Sequence, residues 1–144
     1  MIRRVTTKNE LIASYQIRKT VFIEEQHVSF EEEFDLLDYE YEVYLVYEEG
    51  SPVATARCKV MGTSLKVGRV CTLEKHRHHG HAKALMLHLI KRARALHCEN
   101  VILDSQLRAL PFYQRLGFVA VGDVFLDANI EHKKMIYQIE KIRD

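Results

Sequence analysis

The 144-residue sequence has few cysteines, no excess of charge of either sign and no long apolar run. Its three cysteines, Cys58, Cys71 and Cys98, are odd in number and far apart, which excludes a disulfide framework or a cysteine-rich zinc knuckle. The formal net charge of +1 gives no basis for nucleic-acid or membrane binding over the whole surface. Any cationic site must therefore be local.

The apolar runs and the first residues of the chain indicate its compartment. No run approaches the ~20 apolar residues that span a bilayer, and residues 1–11 lack the apolar core of a signal peptide. We therefore expect a cytoplasmic protein with no membrane segment. The length and a hydrophobic content of 47% suit one globular domain over residues 1–144, without internal repeats or linkers.

The hydrophobic periodicity predicts a mixed α/β sheet with helices on both faces. Thr7 and Glu10 form a capping box at the start of one helix, and another begins after Gly80 with a continuous apolar face. The predicted helices are residues 8–25, the segment from residue 81 to about 96, and residues 109–116. The predicted strands are residues 2–5, 41–47, 52–61, 65–73, 101–103, 118–121, 124–126 and 135–139, of which the second to fourth form an antiparallel meander.

The acidic stretch at residues 30–38 has two interpretations. It is either a solvated loop or short helix, or one wall of an acceptor site that attracts a cationic amine. Both remain open at the level of the sequence.

The segment at residues 77–83 joins a predicted strand to a predicted helix. The first N–H groups of a helix have no helical partners, and the helix dipole adds partial positive charge there. Such a junction binds phosphate or pyrophosphate readily. Arg77 and Lys83 flank it with mobile cationic side chains, so we predict that this loop holds the phosphates of a cofactor.

Four histidines near this loop raise the question of a metal site: His76, His78, His79 and His81. His76 and His79 could meet on one helical turn. However, no carboxylate or cysteine accompanies them at the spacing of a metal site. We therefore expect no metal.

Two motifs resemble the GNAT superfamily of acyl-CoA-dependent N-acyltransferases. Arg77-His78-His79-Gly80-His81-Ala82 resembles its Arg/Gln-x-x-Gly-x-Gly/Ala signature, and residues 109–118, ALPFYQRLGF, resemble its second motif, A-x-x-F/L-Y-x-x-L-G-F. Residues 21–28, 103–106 and 125–132 are similar to segments of the small bacterial ElaA-like branch. Gln106 stands where most of the superfamily has Asn, although that branch shares Gln.

The resemblance implies a single-domain GNAT-like α/β fold, with a mostly antiparallel sheet of six to seven strands and a splayed pair of parallel strands, 65–73 and 101–105. Acetyl-CoA would lie between them. Main-chain groups of three residues on the first strand would pair with its pantetheine arm, and the N–H groups of residues 78–83 would hold its pyrophosphate. The implied cofactor-binding residues are Cys71, Thr72, Leu73, Arg77, His78, His79, Gly80, His81, Ala82, Lys83, Gln106, Tyr113 and Arg115.

The implied reaction is direct attack of a primary amine on the thioester. Tyr113 occupies the family's general-acid position. A phenol can protonate the departing thiolate because it keeps its proton at neutral pH and its pKa lies only slightly above that of a thiol; the alternative is a core aromatic beside Phe112. Residues 65–73 contain no carboxylate to match the family's glutamate base. The base is then one of the candidates Glu25, Glu33 and His132, or a water relay, or the amine arrives neutral.

The acceptor side is implied by the same matching segments. Its candidate residues are Glu25, Gln26, Glu33 and His132. A polyamine, an amino sugar, an amino acid, a peptide terminus and a lysine side chain all remain open as acceptors.

A non-catalytic acyl-CoA sensor is the alternative function. It would bind the cofactor and a protein partner without releasing thiol. Nucleic acid is not an expected partner, because basic residues are not interleaved with aromatics. A homodimer through a sheet edge or the C-terminal strand is compatible with the pattern.

Overall fold

A computed structural model describes residues 1–140. The strands are β1 (Ile2–Arg4), β2 (Glu42–Glu48), β3 (Ser51–Met61), β4 (Ser64–Thr72), β5 (Asn100–Gln106), β6 (Val119–Asp127) and β7 (Ile130–Gln138). The α-helices are α1 (Lys8–Arg18), α2 (Phe30–Glu33), α3 (His81–Ala95) and α4 (Leu110–Leu116). The strands are hydrogen-bonded in the order β1-β2-β3-β4-β5-β7-β6. The predicted class, a mostly antiparallel α/β sheet with one parallel pair, is confirmed.

Two compact units share this chain. The first unit comprises Met1–Lys59 and Gly68–Leu87, and the second comprises Val60–Val67 and the described chain from His88 onward. The single domain over residues 1–144 stays a prediction. Within residues 1–140, no helix combines the length and the apolar character that crossing a membrane requires.

The first unit is built on β1, β2 and β3, which pair antiparallel. The capping box is confirmed, since the Glu10 N–H donates to Thr7 Oγ1 and the Thr7 N–H donates to Glu10 Oε1. Its core includes Ile17, Val21, Leu45 and Cys71.

The predicted helix over residues 8–25 is regular only as far as the end of α1. From Lys19–Glu25 it is a π-helix, in which the Gln26 N–H donates to the Val21 carbonyl five residues back at 3.2 Å. The spacing of apolar residues predicts how far a helix extends. It does not distinguish an α-helix from the wider π-helix, because in both types side chains of neighbouring turns share one face.

The second unit contains the parallel pair. Residues Ser64 to Lys66 of β4 lie opposite Asn100 to Ile102 of β5, and β5 and β6 both pair antiparallel with β7. The strand predicted at residues 101–103 is longer than expected. The two fragments predicted at 118–121 and 124–126 are one strand, β6, whose register shifts between Val121 and Phe125. Gly122, with φ +78°, lies in that irregularity and explains the break in the apolar pattern.

Helix α3 has the buried face that its spacing predicted. Leu85, Met86, Leu89 and Ala93 are 0% exposed and Ile90 is 2% exposed. This spacing places one apolar stripe along the helix. The stripe fixes the axis of the helix and therefore the direction in which its first turn points.

Candidate active site

The loop before α3 is bent by two residues in the left-handed region. His78 has φ +65° and Gly80 has φ +82°. A Cβ at Gly80 would meet nothing within 4 Å, so the backbone conformation rather than crowding favours glycine here. The bend brings the chain from a short 3₁₀ turn at Glu74–His76 into the helix.

The start of α3 offers free backbone donors. The first helical hydrogen bond joins the Ala84 N–H to the Gly80 carbonyl at 3.0 Å. The N–H groups of His81, Ala82 and Lys83 therefore precede the helical ladder. Together with the helix dipole they form the kind of junction that the phosphate prediction requires, and the phosphate site itself stays a prediction.

Arg77 is not the mobile cation that was expected. Its Nε donates to the Thr72 carbonyl at 3.0 Å, and one terminal nitrogen donates to both carboxylate oxygens of Glu25 at 2.9 and 2.8 Å. Arg77 thus ties the loop to the end of β4 and to the end of the π-helix. Glu25, a candidate base, is held in this ion pair.

The residues expected to meet the pantetheine arm offer main chain rather than side chain. Cys71 is 7% exposed, and burial raises the pKa of its thiol far above the usual range. The Leu73 N–H already donates to the Val53 carbonyl at 2.9 Å. The Thr72 carbonyl accepts from Arg77, which leaves it one lone pair.

Three carboxylates of the acidic stretch are paired with guanidinium groups of the first unit. Arg18 Nε donates to Glu33 Oε2 at 2.7 Å and Nη1 donates to Asp38 Oδ1 at 2.6 Å, while Arg57 Nη2 donates to Asp35 Oδ2 at 2.6 Å. The charges of these three carboxylates are therefore matched within the protein, and the interpretation of the stretch as a wall that attracts a cationic amine stays a prediction.

Glu33 itself cannot serve as a substrate-facing base. Its side chain is 3% exposed and its Oε2 lies 3.1 Å from Arg69 Nε. Burial raises the pKa of Glu33, and the guanidinium groups of Arg69 and Arg18 oppose that rise. Residues 30–33 form the short helix α2, the structural alternative left open by the sequence.

An apolar cavity of about 360 Å³ lies beside this stretch. Its walls include Ile12, Tyr15, Phe30, Phe34 and Leu36. Phe30 and Leu36 are 61% and 82% exposed, so the cavity opens to solvent.

In the second unit, Tyr113 lies on α4 and is 8% exposed. Its ring packs edge-on against Phe112 at 5.0 Å and Phe118 at 5.6 Å between centroids. The helix ends as predicted at Gly117, whose φ is +107°. Arg115 is exposed on the same helix.

Two further predicted residues, Gln106 and His132, are partners across the β5–β7 ladder. Gln106 Oε1 accepts from Arg108 Nε at 3.0 Å. The His132 ring stacks on Phe125, and its Nδ1 lies 2.7 Å from the Ile130 carbonyl. A carbonyl only accepts, so Nδ1 carries the proton, and a neutral ring keeps the lone pair on Nε2.

A carboxylate does accompany the histidines, contrary to expectation. Glu48, the last residue of β2, contacts His76 Nδ1 through Oε2, and its Oε1 lies 2.8 Å from His79 Nδ1. The hydrogen bond from His76, followed by that from His79, lowers the pKa of Glu48 to about 2. The predicted meander could have indicated this contact. Alternate strands of a meander run in the same direction, so the end of β2, at Glu48, and the end of β4, which leads to His76, lie at the same edge of the sheet.

Comparisons with known proteins identify the family of the chain. Residues 6–139 match the family model described as "Acetyltransferase (GNAT) domain". YjcF of Bacillus subtilis (strain 168), an uncharacterized N-acetyltransferase, is 36% identical over 138 residues, which are 94% of this chain and 99% of YjcF. An acyl-CoA N-acyltransferase from Pseudomonas aeruginosa superposes with a TM-score of 0.83 at 28% identity, covering 95% of this chain and 97% of its own.

Escherichia coli ElaA shares the fold with a TM-score of 0.83 at 23% identity, over 96% of this chain and 99% of ElaA. The resemblance read from the two motifs is thereby confirmed. The chain belongs to the GNAT acetyltransferase family and is an acyltransferase.

Proposed function

We propose that the protein transfers an acetyl group from acetyl-CoA to a primary amine. GNAT enzymes use an acyl-CoA cosubstrate. The observation that supports acetyl-CoA binding by this chain is the structure at the start of α3. There, three N–H groups precede the first helical hydrogen bond, behind a loop bent at Gly80. A diphosphate is the part of acetyl-CoA that such a junction recognises.

In this proposal the N–H groups of residues 78–83 bind the pyrophosphate. The exposed Lys83 side chain adds positive charge, while the side chain of Arg77 positions the loop through Glu25. The main chain at Cys71 and Thr72 meets the pantetheine arm. Gln106 and Arg115 are further candidate contacts to the cosubstrate.

Tyr113 is the proposed general acid. The amine nitrogen bonds to the acetyl carbon, the carbon–sulfur bond breaks, and the phenol of Tyr113 protonates the departing thiolate. Burial of the ring among Phe112 and Phe118 fixes its direction. Fixing an acid in place contributes to rate because its ordering is complete before the substrate binds.

His132 is the proposed base among the three candidates. Glu33 is buried in an ion pair and Glu25 is bound by Arg77. His132 instead has its tautomer set by the Ile130 carbonyl, which leaves Nε2 able to accept a proton. Gln26 stays a candidate contact to the acceptor.

The proposed acceptor is an amine carried on an apolar body. Glu33, Asp35 and Asp38 are matched by guanidinium groups. The cavity beside them is lined mostly by aromatic and aliphatic side chains, and its polar lining residues are Gln16, Lys19 and Asp38. Apolar walls favour an arylalkyl or alkyl amine over a polyamine, because each buried CH₂ contributes about 0.8 kcal/mol.

The test is thiol release from acetyl-CoA across a panel of amines. Arylalkylamines should give kcat/KM about tenfold or more above spermidine, in line with burial of two or more CH₂ groups. Equal rates would contradict the acceptor class only. The acetyltransferase proposal itself would be refuted if no amine gave thiol release and calorimetry detected no acetyl-CoA binding at millimolar concentration.

Two variants separate the proposed roles. Tyr113→Phe should lower kcat about 10²-fold or more with little change in CoA affinity, whereas the matched control Tyr39→Phe, at a side chain 85% exposed, should change neither. His132→Gln should lower kcat about 10²-fold or more with little change in CoA affinity. An unchanged kcat in either variant removes that residue from its role.

A homodimer is proposed through β6. This strand ends the sheet order, and an edge strand presents unpaired N–H and C=O groups to another chain. Among the described residues it also carries five exposed apolar side chains: Val119, Val121, Val124, Phe125 and Leu126. Light scattering after gel filtration should give twice the 16.9 kDa chain mass, and Val121→Lys should give the monomer; a wild-type monomer would contradict the proposal.

A further inference from the structure

We propose that Glu48, His76 and His79 form a binding site for a divalent transition-metal ion such as Zn²⁺, with His81 as a fourth ligand. The four residues lie on separate parts of the first unit: the end of β2, the 3₁₀ turn, the loop and the first position of α3. None of their side chains is assigned a contact with acetyl-CoA or with the acceptor in the proposed reaction.

The ligand atoms are already gathered. One atom each from Glu48, His76 and His79 lies within 4.8 Å of the others, and His79 Nδ1 is 2.8 Å from Glu48 Oε1. Zinc bonds of about 2.0–2.2 Å place neighbouring tetrahedral ligands roughly 3.4 Å apart. Rotations of side chains that are 27%, 33% and 46% exposed are enough to open the cluster to that spacing.

His81 supplies the independent observation. Its Nε2 is buried and has no hydrogen-bond partner, while it lies 3.5 Å from Glu48 Oε1. A buried polar atom without a partner is costly, and such atoms in folded proteins commonly mark a ligand or ion site. A metal ion beside Glu48 satisfies this nitrogen.

The chemistry of the donors selects the metal. Two or three imidazoles and one carboxylate suit Zn²⁺, Co²⁺ or Ni²⁺, whereas Mg²⁺ and Ca²⁺ prefer all-oxygen sites. The ion would take the place of the hydrogen bonds between Glu48 and the rings of His76 and His79. The cysteines Cys58, Cys71 and Cys98 are buried and do not compete for the ion.

The test uses the full chain after removal of metal with a chelator. At free Zn²⁺ about 100-fold above Kd, the Tm should rise by roughly 5–10 °C, and Mg²⁺ at the same concentration should have no effect. Glu48→Gln and His79→Ala should each weaken Zn²⁺ binding by at least about tenfold in calorimetry, since each removes one ligand. Co²⁺ should give the intense visible absorption of a tetrahedral site in the wild type, and this absorption should be weaker in Glu48→Gln and His79→Ala.

The control is His78→Asn, in the same loop. His78 is exposed and has φ +65°, a conformation that Asn tolerates well. This variant should keep the wild-type shift and the cobalt spectrum. No Zn²⁺ shift in the wild type, an equal shift with Mg²⁺, an undiminished affinity in both ligand variants, or an octahedral cobalt spectrum would each overturn the proposal.

Discussion

Replacing Arg18 by alanine removes a guanidinium group that is only 1% exposed. Arg18 makes three hydrogen bonds: to Glu33 Oε2 at 2.7 Å, to Asp38 Oδ1 at 2.6 Å and to the Glu33 carbonyl at 2.9 Å. It also lies over the rings of Tyr15 and Phe34, at 5.5 and 5.0 Å from their centroids. The variant therefore leaves two buried carboxylates short of a partner.

The expected loss of stability follows from what remains around these carboxylates. Breaking a buried ion pair from one side costs about 3–5 kcal/mol. Asp38 keeps Arg57 at 3.1 Å and Glu33 keeps Arg69 at 3.1 Å, so neither carboxylate is left alone. We expect the lower end, about 3 kcal/mol, which corresponds to a fall in Tm of roughly 6–12 °C for a chain of this size.

Urea denaturation followed by circular dichroism measures the effect, with an unchanged m-value as the sign that the variant unfolds from the same compact state. Arg3→Ala is the matched control, because Arg3 pairs with Glu10 at a side chain that is 55% exposed. Exposed pairs contribute about 0–1 kcal/mol. A loss for Arg18→Ala no larger than that of Arg3→Ala would refute the reasoning.

Three further variants test local features of the fold. The pKa of Glu10 is lowered to about 2, chiefly by the Thr6 N–H. Because the pKa in the folded state lies below that in the unfolded state, the ionised carboxylate stabilises the fold above about pH 4.5, and this stabilisation is lost toward pH 2. The Tm difference between wild type and Glu10→Gln should therefore shrink over that range, and a constant difference would contradict this prediction. Gly117→Ala puts a Cβ 3.0 Å from the Tyr137 ring at φ +107° and should cost about 1–3 kcal/mol in urea denaturation, where a neutral result would show that the turn relaxes. Leu89, which is 0% exposed, should lower the free energy of unfolding by about 2–5 kcal/mol when it is replaced by alanine. Leu87→Ala on the same helix, at a residue that is 49% exposed, should lower it by about 0.5 kcal/mol or less. Equal losses would contradict the assignment of the buried face.

The features that the sequence predicted well depend on residues that are close along the chain. The capping box joins Thr7 to Glu10, and the buried stripe of α3 repeats within one helix. Such patterns are visible because the geometry of a single helix determines which residues meet. The same holds for Gly117, where one residue reports the end of α4.

The features that were missed join residues far apart in sequence. Arg77 and Glu25 are 52 positions apart, His79 and Glu48 are 31 apart, and Arg18 and Asp38 are 20 apart. Their meeting depends on strand register and on where a loop passes, which periodicity does not specify. Charge pairing therefore changed the interpretation of Glu25 and Glu33, while the elements themselves changed little.

These long-range pairs explain why the backbone of the loop can be the functional part. Arg77 is bound to Glu25 and Thr72, and His79 is bound to Glu48, so two side chains of the loop are anchored on either side of His78. Ordering one residue on ligand binding costs about 1–2 kcal/mol of backbone entropy. In the proposed function, anchoring residues 77 and 79 in advance would remove that cost from the binding of a phosphate at the start of α3. The side chains of this loop would then contribute by holding its N–H groups in place, and the proposed phosphate site would need only one glycine.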